Sequence, residues 1–382
     1  MFPTIRDVAS RANVSFQLAS GVLGHRSYVY ASEATRKTIF EAAEELGYVP
    51  NTSARILRGG ASKILGVLID SRAPEALYGI LAEIEQAADK LGYRILSAQA
   101  HDNPEKLMTA YQSLLQNGVD GIISFVNDYP QLDCRLGPLL KNDPKIVFAL
   151  NAGDNSPASV VVDIESGIAA AVRHLRERGY RKPALLLALP NRDGHLSFNC
   201  RRRLETFKTA CPEGDALLLN AKADPSDLFA QCRTAIRRKL LPGGFDSVIA
   251  QNDNLAAILM RQLLTEGIRI PDDFGLVGWD NLLIAECLPV SLTSLGCDWK
   301  NVAENVLKTL MKRMEGDRST VKIRIPMSLI PRESTKKGGM GHERGGMRYE
   351  VGGRKYERGK KRQKRSESQG TLKTYLWKGE KP

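Results

Sequence analysis

Hydrophobic positions in the first 49 residues recur at helical spacing in three short runs: Ile5, Val8, Ala9 and Ala12, then Ala19, Val22 and Leu23, then Ile39, Ala42, Ala43 and Leu46. Each run has a start signal. Thr4 is placed to cap the first helix with Asp7 three residues on, Ser15 to cap the second and Ser32 the third, while Gly47 is placed to end the third. Asn13 and Val14 leave a tight turn between the first two helices. Residues 51–58, closed by Gly59 and Gly60, carry a further helical pattern of about two turns, too short to hold alone in water, so it needs a partner to fold.

From Lys63 the pattern changes to short apolar runs at 64–69, 94–98, 121–125, 145–150, 159–164, 184–189, 247–250 and 275–279. Amphipathic stretches separate many of them, among them 75–91, 104–117, 167–178 and 254–267. Strand followed by helix, repeated, predicts parallel sheets covered on both faces. Some 270 residues of this texture exceed one comfortable core, so two doubly wound α/β lobes are expected. The predicted organisation is a helix-turn-helix head at 1–49, a hinge helix and linker at 50–62, a two-lobed region at 63–334, and a tail at 335–382.

Charge sharpens that division. The 382 residues carry 55 Lys+Arg against 43 Asp+Glu, but residues 336–382 alone hold 15 basic and 5 acidic side chains, so most of the excess is in the tail. Ten glycines and the basic run 360–365 mark that tail as a segment expected to be disordered. Three readings of it stay open: no function, a sequence-independent DNA arm, or a partner-binding segment. The head is not strongly basic, with 8 Lys+Arg against 5 Asp+Glu over residues 1–63. On pattern alone its helix-turn-helix fits either a recognition helix in the major groove or a plain three-helix bundle.

Several function classes find no support. No run of 18 apolar residues occurs, and no basic segment followed by an apolar stretch and a small-residue cleavage site begins the chain, so no membrane partner and a cytoplasmic location are expected. The six cysteines form no C-x-x-C pair and the five histidines do not cluster with them, so neither a disulfide framework, a metal site nor a cofactor is expected. A G-x-S-x-G elbow, an H-E-x-x-H pair and a Walker loop are all missing, which argues against an enzyme.

Ligands of doubly wound sheets bind beyond the carboxyl ends of the strands, so polar residues directly after apolar runs are the candidates. Asp70, Asp163, Asn252, Asp253 and Asp280 qualify. For each carboxylate the other reading is a helix cap in a strand-to-helix loop, and it is for Asp253 that the two readings stand nearly level. Trp279 and Trp299 are aromatic candidates for either the pocket or the core.

Three motifs narrow the choice: Thr4-Ile5-Arg6-Asp7-Val8-Ala9, then Ala12-Asn13-Val14-Ser15, then Ala42-Ala43-Glu44-Glu45-Leu46-Gly47-Tyr48-Val49-Pro50-Asn51. Together with Ala54-Arg55-x-Leu57 they resemble the lactose/galactose-repressor family, and the resemblance runs to about Arg332. It implies the fold class already reached, with lobes of the periplasmic-binding-protein-like type, and a transcription regulator, expected to be a repressor. The implied partners are a near-palindromic double-stranded DNA operator, a second copy of the chain, and a small effector, expected to be a carbohydrate. A solute-binding protein or an enzyme with the same lobes is the alternative, and the solute-binding protein has no use for the first 60 residues.

The resemblance also assigns residues. Phe16 and Gln17 fall at base-reading positions, where a glutamine can bond adenine in a bidentate way and an aromatic can touch a thymine methyl. Ser15 and Ser20 are expected at phosphates, and Thr4, Tyr30, Ser32, Asn51, Ala54, Arg55 and Arg58 complete the implied DNA surface. Leu57 matches the hinge leucine that wedges the minor groove at the operator centre. In the lobes, Asp70, Phe125, Asp163, Arg203, Asn252, Asp253, Trp279, Asp280, Cys297 and Trp299 are the implied ligand residues. The family pattern V-S-x-x-T-V-S-R-V-L-N is broken here, because Gly21 stands where the arginine is usual. Losing that guanidinium removes a groove contact, and Cys297 stands where relatives often carry a polar residue on the ligand.

Overall fold

A computed structural model describes residues 3–24, 29–49, 60–70, 75–100, 104–126, 136–150, 156–189, 196, 198–220 and 225–337. Residues 50–59, which hold the predicted hinge helix, and the tail from 338 lie outside the described residues. So Asn51, Ala54, Arg55, Leu57 and Arg58 have no structural account here.

The head contains helices α1 (Ile5–Arg11), α2 (Phe16–Leu23) and α3 (Glu33–Glu45). They close around the predicted apolar positions, with Val8, Ala9, Ala12, Ala19, Val22, Ile39, Ala42 and Ala43 forming one buried cluster. The predicted caps form. Ser15 Oγ accepts from the Leu18 N–H at 3.2 Å and Ser32 Oγ from the Thr35 N–H at 3.1 Å. The Asp7 carboxylate accepts from both the Thr4 N–H and the Thr4 hydroxyl, each at 2.7 Å. Asn13 takes φ 52 in the turn, the left-handed region that asparagine tolerates better than most residues.

Two six-stranded sheets follow. The first lobe uses β1 (Ile64–Asp70), β2 (Arg94–Ala100), β3 (Gly121–Ser124), β4 (Ile146–Leu150) and β5 (Ala158–Val162), with helices α4 (Ala76–Lys90), α5 (Pro104–Gln116) and α6 (Leu136–Asn142). The second uses β6 (Pro183–Leu189), β7 (Asp215–Asn220), β8 (Ser247–Ala250), β9 (Gly275–Trp279) and β10 (Thr293–Cys297), with α7 (Ile164–Glu177), α8 (Phe198–Ala210), α9 (Pro225–Ala235), α10 (Asp253–Thr265) and α11 (Ile284–Cys287). Then α12 (Trp299–Met314) returns to the first lobe, where β11 (Val321–Ile325) joins its sheet, and β12 (Met327–Ile330) crosses back to the second.

The strand orders are β11-β5-β4-β3-β1-β2 and β12-β10-β9-β8-β6-β7. All neighbours are parallel except β12, which runs antiparallel to β10. Both lobes therefore repeat one winding, with the order reversing between β1 and β3 and between β6 and β8. Those reversals open a crevice at the carboxyl strand ends, and the sites below fall there.

The sequence pattern gives 322–330 as one continuous strand. The structure splits it at Pro326, whose ring leaves no N–H for a ladder, and sends the halves to different sheets. The tail also starts later than expected. Thr335 is 1% exposed, its hydroxyl meeting that of Thr293 at 2.7 Å and His174 Nε2 at 2.8 Å, so the segment to Lys337 is fastened to the second lobe. At the other end, the Ser62 and Lys63 N–H groups both donate to the Asp120 carboxylate at 2.8 Å, so the first lobe begins one residue before the predicted boundary.

Candidate functional site

In the head, the first turn of α2 faces outward. Phe16 is 40% exposed, an aromatic left uncovered beside exposed Gln17 and the capping residue Ser15. Tyr30 is almost wholly exposed, and the stretch bearing it is held by Arg36, which donates to the carbonyls of Val29 at 2.9 Å and Ala31 at 3.4 Å. Thr4 and Ser32 are exposed at the starts of α1 and α3. Ser20 is the exception to the predicted surface. It is only 7% exposed, on the inner face of α2, which removes it from the outward set.

Gly21 also turns inward. A Cβ there would stand within 2.9 Å of Val29 Cγ1 and closer still to Cγ2. The glycine is thus a packing choice: the valine fills the space that a side chain at 21 would need, and an arginine could not be placed without moving it.

At the carboxyl ends of the second sheet, Arg203 enters from α8 and is 8% exposed. Its guanidinium lies 3.9 Å from the centroid of the Trp279 ring, and Nη1 donates to the Gln251 carbonyl at 2.6 Å. Nε meets no hydrogen-bond acceptor among the described residues. Of its neighbours, Arg201 points to solvent and Arg202 pairs with Glu165, so of the three consecutive arginines only Arg203 lies buried against Trp279.

Asp280 follows Trp279 and is 9% exposed with φ 96, a backbone region that costs a non-glycine residue strain. The bend is pinned from three sides. The Asp280 N–H donates to the Leu295 carbonyl at 2.7 Å, the Asn281 N–H to Ser294 Oγ at 3.1 Å, and the Leu282 N–H to Asp253 Oδ2 at 2.7 Å. Burial pushes the Asp280 carboxyl up to about 7, against the downward pull of the Arg203 charge. Burial also lowers the Arg203 pKa, so the pair shares a site that resists both charges.

Asp253 differs from expectation. It is fully enclosed, with Oδ1 accepting from Ser294 Oγ at 2.6 Å and Oδ2 from the Leu282 N–H, so both oxygens serve the loop that carries Asp280. The helix cap belongs to Asn252, whose Oδ1 accepts from the Leu255 N–H at 2.8 Å. Phe125 and Trp279 are likewise core residues, 7% and 2% exposed, although Trp279 also supplies the face under Arg203.

Cys297 and Trp299 are half-buried, and with Leu150 they touch the cores of both lobes. Burial pushes the Cys297 thiol up to about 12, which keeps it neutral and a weak hydrogen-bonding group. Asp163 caps α7, accepting from the Ser166 N–H at 3.2 Å, while its own N–H donates to the Ile325 carbonyl at 2.8 Å. It therefore ties the ends of β5 and β11, neighbouring strands of the first lobe from which the chain crosses to the second. Asp70 closes β1.

Two contacts between the lobes, and one within the second lobe, were not read from the sequence. Asn254 donates to Glu75 at 3.2 Å from the first turn of α10, and the Glu165 carboxylate sits between Arg202 and Arg324, the latter 3.5 Å away. The Gln251 carbonyl completes the Arg203 site, and its position directly after β8 was the available signal. Among the described residues no group of three or more His, Cys, Asp or Glu could hold a metal ion, and no helix is long and apolar enough to cross a membrane.

A helix-turn-helix head and a two-lobed crevice with a buried arginine–carboxylate site define a ligand-responsive DNA-binding regulator. The model of the bacterial regulatory proteins of the lacI family matches residues 4–51, and that of the periplasmic binding protein-like domain matches residues 172–335. The HTH-type transcriptional repressor PurR of Vibrio cholerae is 27% identical over 320 residues, covering 82% of this chain and 91% of its own. PurR of Haemophilus influenzae is 24% identical over 343 residues, covering 87% and 98%. Among solved structures, the Lac repressor dimer bound to operator and the anti-inducer ONPF superposes with a TM-score of 0.73 at 26% identity, over 88% of this chain and 99% of that one. These matches support a transcription regulator of the LacI type, and the relatives matched are transcriptional repressors, not enzymes.

Proposed function

We propose that this chain acts in the cytoplasm as a homodimeric transcriptional repressor, binding a near-palindromic double-stranded DNA operator under control of a small carbohydrate-like effector. Phe16 and Gln17 would read base edges, Ser15 would meet a phosphate, and the hinge leucine Leu57 of each copy would wedge the operator centre. The relatives support this: the Lac repressor structure is a dimer on its operator, and a CelR–cellobiose complex shares the fold. Arg203 and Asp280 would hold the effector, the guanidinium as a fixed fork of donors and the carboxylate as an acceptor for vicinal hydroxyls.

The single observation that carries the proposal is the buried Arg203 beside Asp280, with an N–H left without an acceptor at the carboxyl ends of the sheet. Such a donor calls for an acceptor from a ligand. Repression follows thermodynamically only if the effector distinguishes the DNA-binding conformation from the other. A thermal-shift screen of sugars supplies a stabilising compound, and gel shifts then test it. Arg203→Ala and Asp280→Ala should keep DNA binding and lose the compound's effect on it; a response retained in both variants would remove these residues from the site.

A further inference from the structure

A cavity of about 170 Å³ lies on the first lobe, away from the crevice, between α12 and the start of β11. Its charged lining is Lys308, Lys312 and Arg313, with Asp317 as the one carboxylate. Arg313 is 4% exposed, yet its Nε and Nη1 meet no hydrogen-bond acceptor among the described residues. A buried guanidinium with unmet N–H groups is costly, and the cost falls when a small turn of the side chain brings one of them onto an oxyanion in the cavity.

The acids within reach are already committed. Asp317 accepts from the Ser319 N–H at 2.8 Å, and Asp143 accepts from the Tyr111 hydroxyl and the Lys145 N–H, both at 2.8 Å. Arg318 spends Nη1 on backbone carbonyls, including that of Arg313 at 2.8 Å, and adds positive charge beside the cavity. Lys308 and Lys312 are exposed and one helical turn apart, so their ammonium groups lie on one face above Arg313.

We propose that this cavity binds a phosphoryl oxyanion, as inorganic phosphate or as the phosphate ester of a small metabolite, with Arg313 as the buried fork and Lys308 and Lys312 closing over it. A guanidinium fork matches two phosphate oxygens, and lysines act as point charges that neutralise the rest. The position gives such a ligand leverage. The helix wall α12 starts at the crossover after Asp298, and the strand wall β11 ends at the crossover at Pro326. An anion drawing the two walls together acts on two of the three connections between the lobes, giving an input separate from the crevice.

Isothermal titration of the full chain with inorganic phosphate, and in parallel with glycerol 3-phosphate against glycerol, at fixed ionic strength, tests this. Saturable one-site binding is expected, weakened at least tenfold in Arg313→Met and in Lys308→Ala/Lys312→Ala. Tighter binding of the ester supports a metabolite as the source, and equal or weaker binding supports free phosphate. The lysine pair lies on an exposed helix face, so its variant keeps the test open should Arg313→Met fold poorly. Absence of saturable binding for both phosphates, or unchanged affinity in the variants, would overturn the assignment.

Discussion

Asp280 illustrates how far a single environment can move a side chain. Its carboxyl is pushed up to about 7 by burial, far above the 3.8 of an unperturbed aspartate, so the folded protein holds that proton where the unfolded chain has released it. The sign follows: this group's contribution is fully favourable below the unfolded pKa and is lost as pH rises towards the folded one. His174, whose pKa is lowered by burial, acts the other way, being costly to fold at acid pH. Comparing Asp280→Asn with the parent cancels His174. The variant should gain stability relative to the parent as the solution is taken from about pH 5 to about pH 8, read from urea midpoints; a constant difference would contradict the buried, proton-holding carboxyl. The sequence made Asp280 legible because a polar residue directly after an apolar run stands out, whereas Arg203 was legible only through the family resemblance. It could not separate Asp253 from Asp280, since both follow strands and only the fold shows that one braces the loop bearing the other. The requirement is visible at Gly278, where any Cβ would collide with Asp253 Oδ1.

Among the elements, the head helices were the most readable, because caps and apolar spacing agreed at each one. The departure at Gly21 was read as a lost contact, whereas α2 uses it to admit Val29. That contact reaches across to Val29, eight residues beyond Gly21 and outside the helix, and has no periodic signature. Gly21→Ala should destabilise the protein by about 1–3 kcal/mol despite its better helix propensity, and Val29→Ala should recover part of the loss in a double-mutant cycle. Additive effects would mean the two positions do not share the space. Strand β10 escaped prediction for a related reason: Thr293–Cys297 has a single large apolar residue, Leu295, among small and polar ones, yet it is almost wholly buried, with Thr293 and Ser294 satisfied by Ser334, Thr335 and Asp253. Hydrogen-bonded burial leaves no apolar run to find. Edge strand β7 was missed although it carries a short apolar run at 216–219, and the division of 322–330 into β11 and β12 was hidden by the continuity of the sequence across Pro326.

At the scale of the molecule, the repeated winding of the two lobes places Asp163, Asp298 and Pro326 at the three passages of the chain between them. Asp163 and Asp298 each cap the helix that begins there, so these passages are fixed by local hydrogen bonds. The ties across the crevice are exposed and weak by comparison: Asn254 to Glu75, and Glu165 to Arg324. Strong hinges with light latches suit lobes that close on a ligand at small cost, which is what control of a distant DNA-reading head requires. The most direct test is selection of genomic duplex fragments on the purified full chain, followed by sedimentation of the selected complex. An enriched near-two-fold motif, two chains per duplex, and loss of at least tenfold affinity in both Gln17→Ala and Leu57→Ala are the expected results. No enriched motif, one chain per duplex, or both variants binding as tightly as the parent would contradict a dimer that reads DNA through its first helices and hinge.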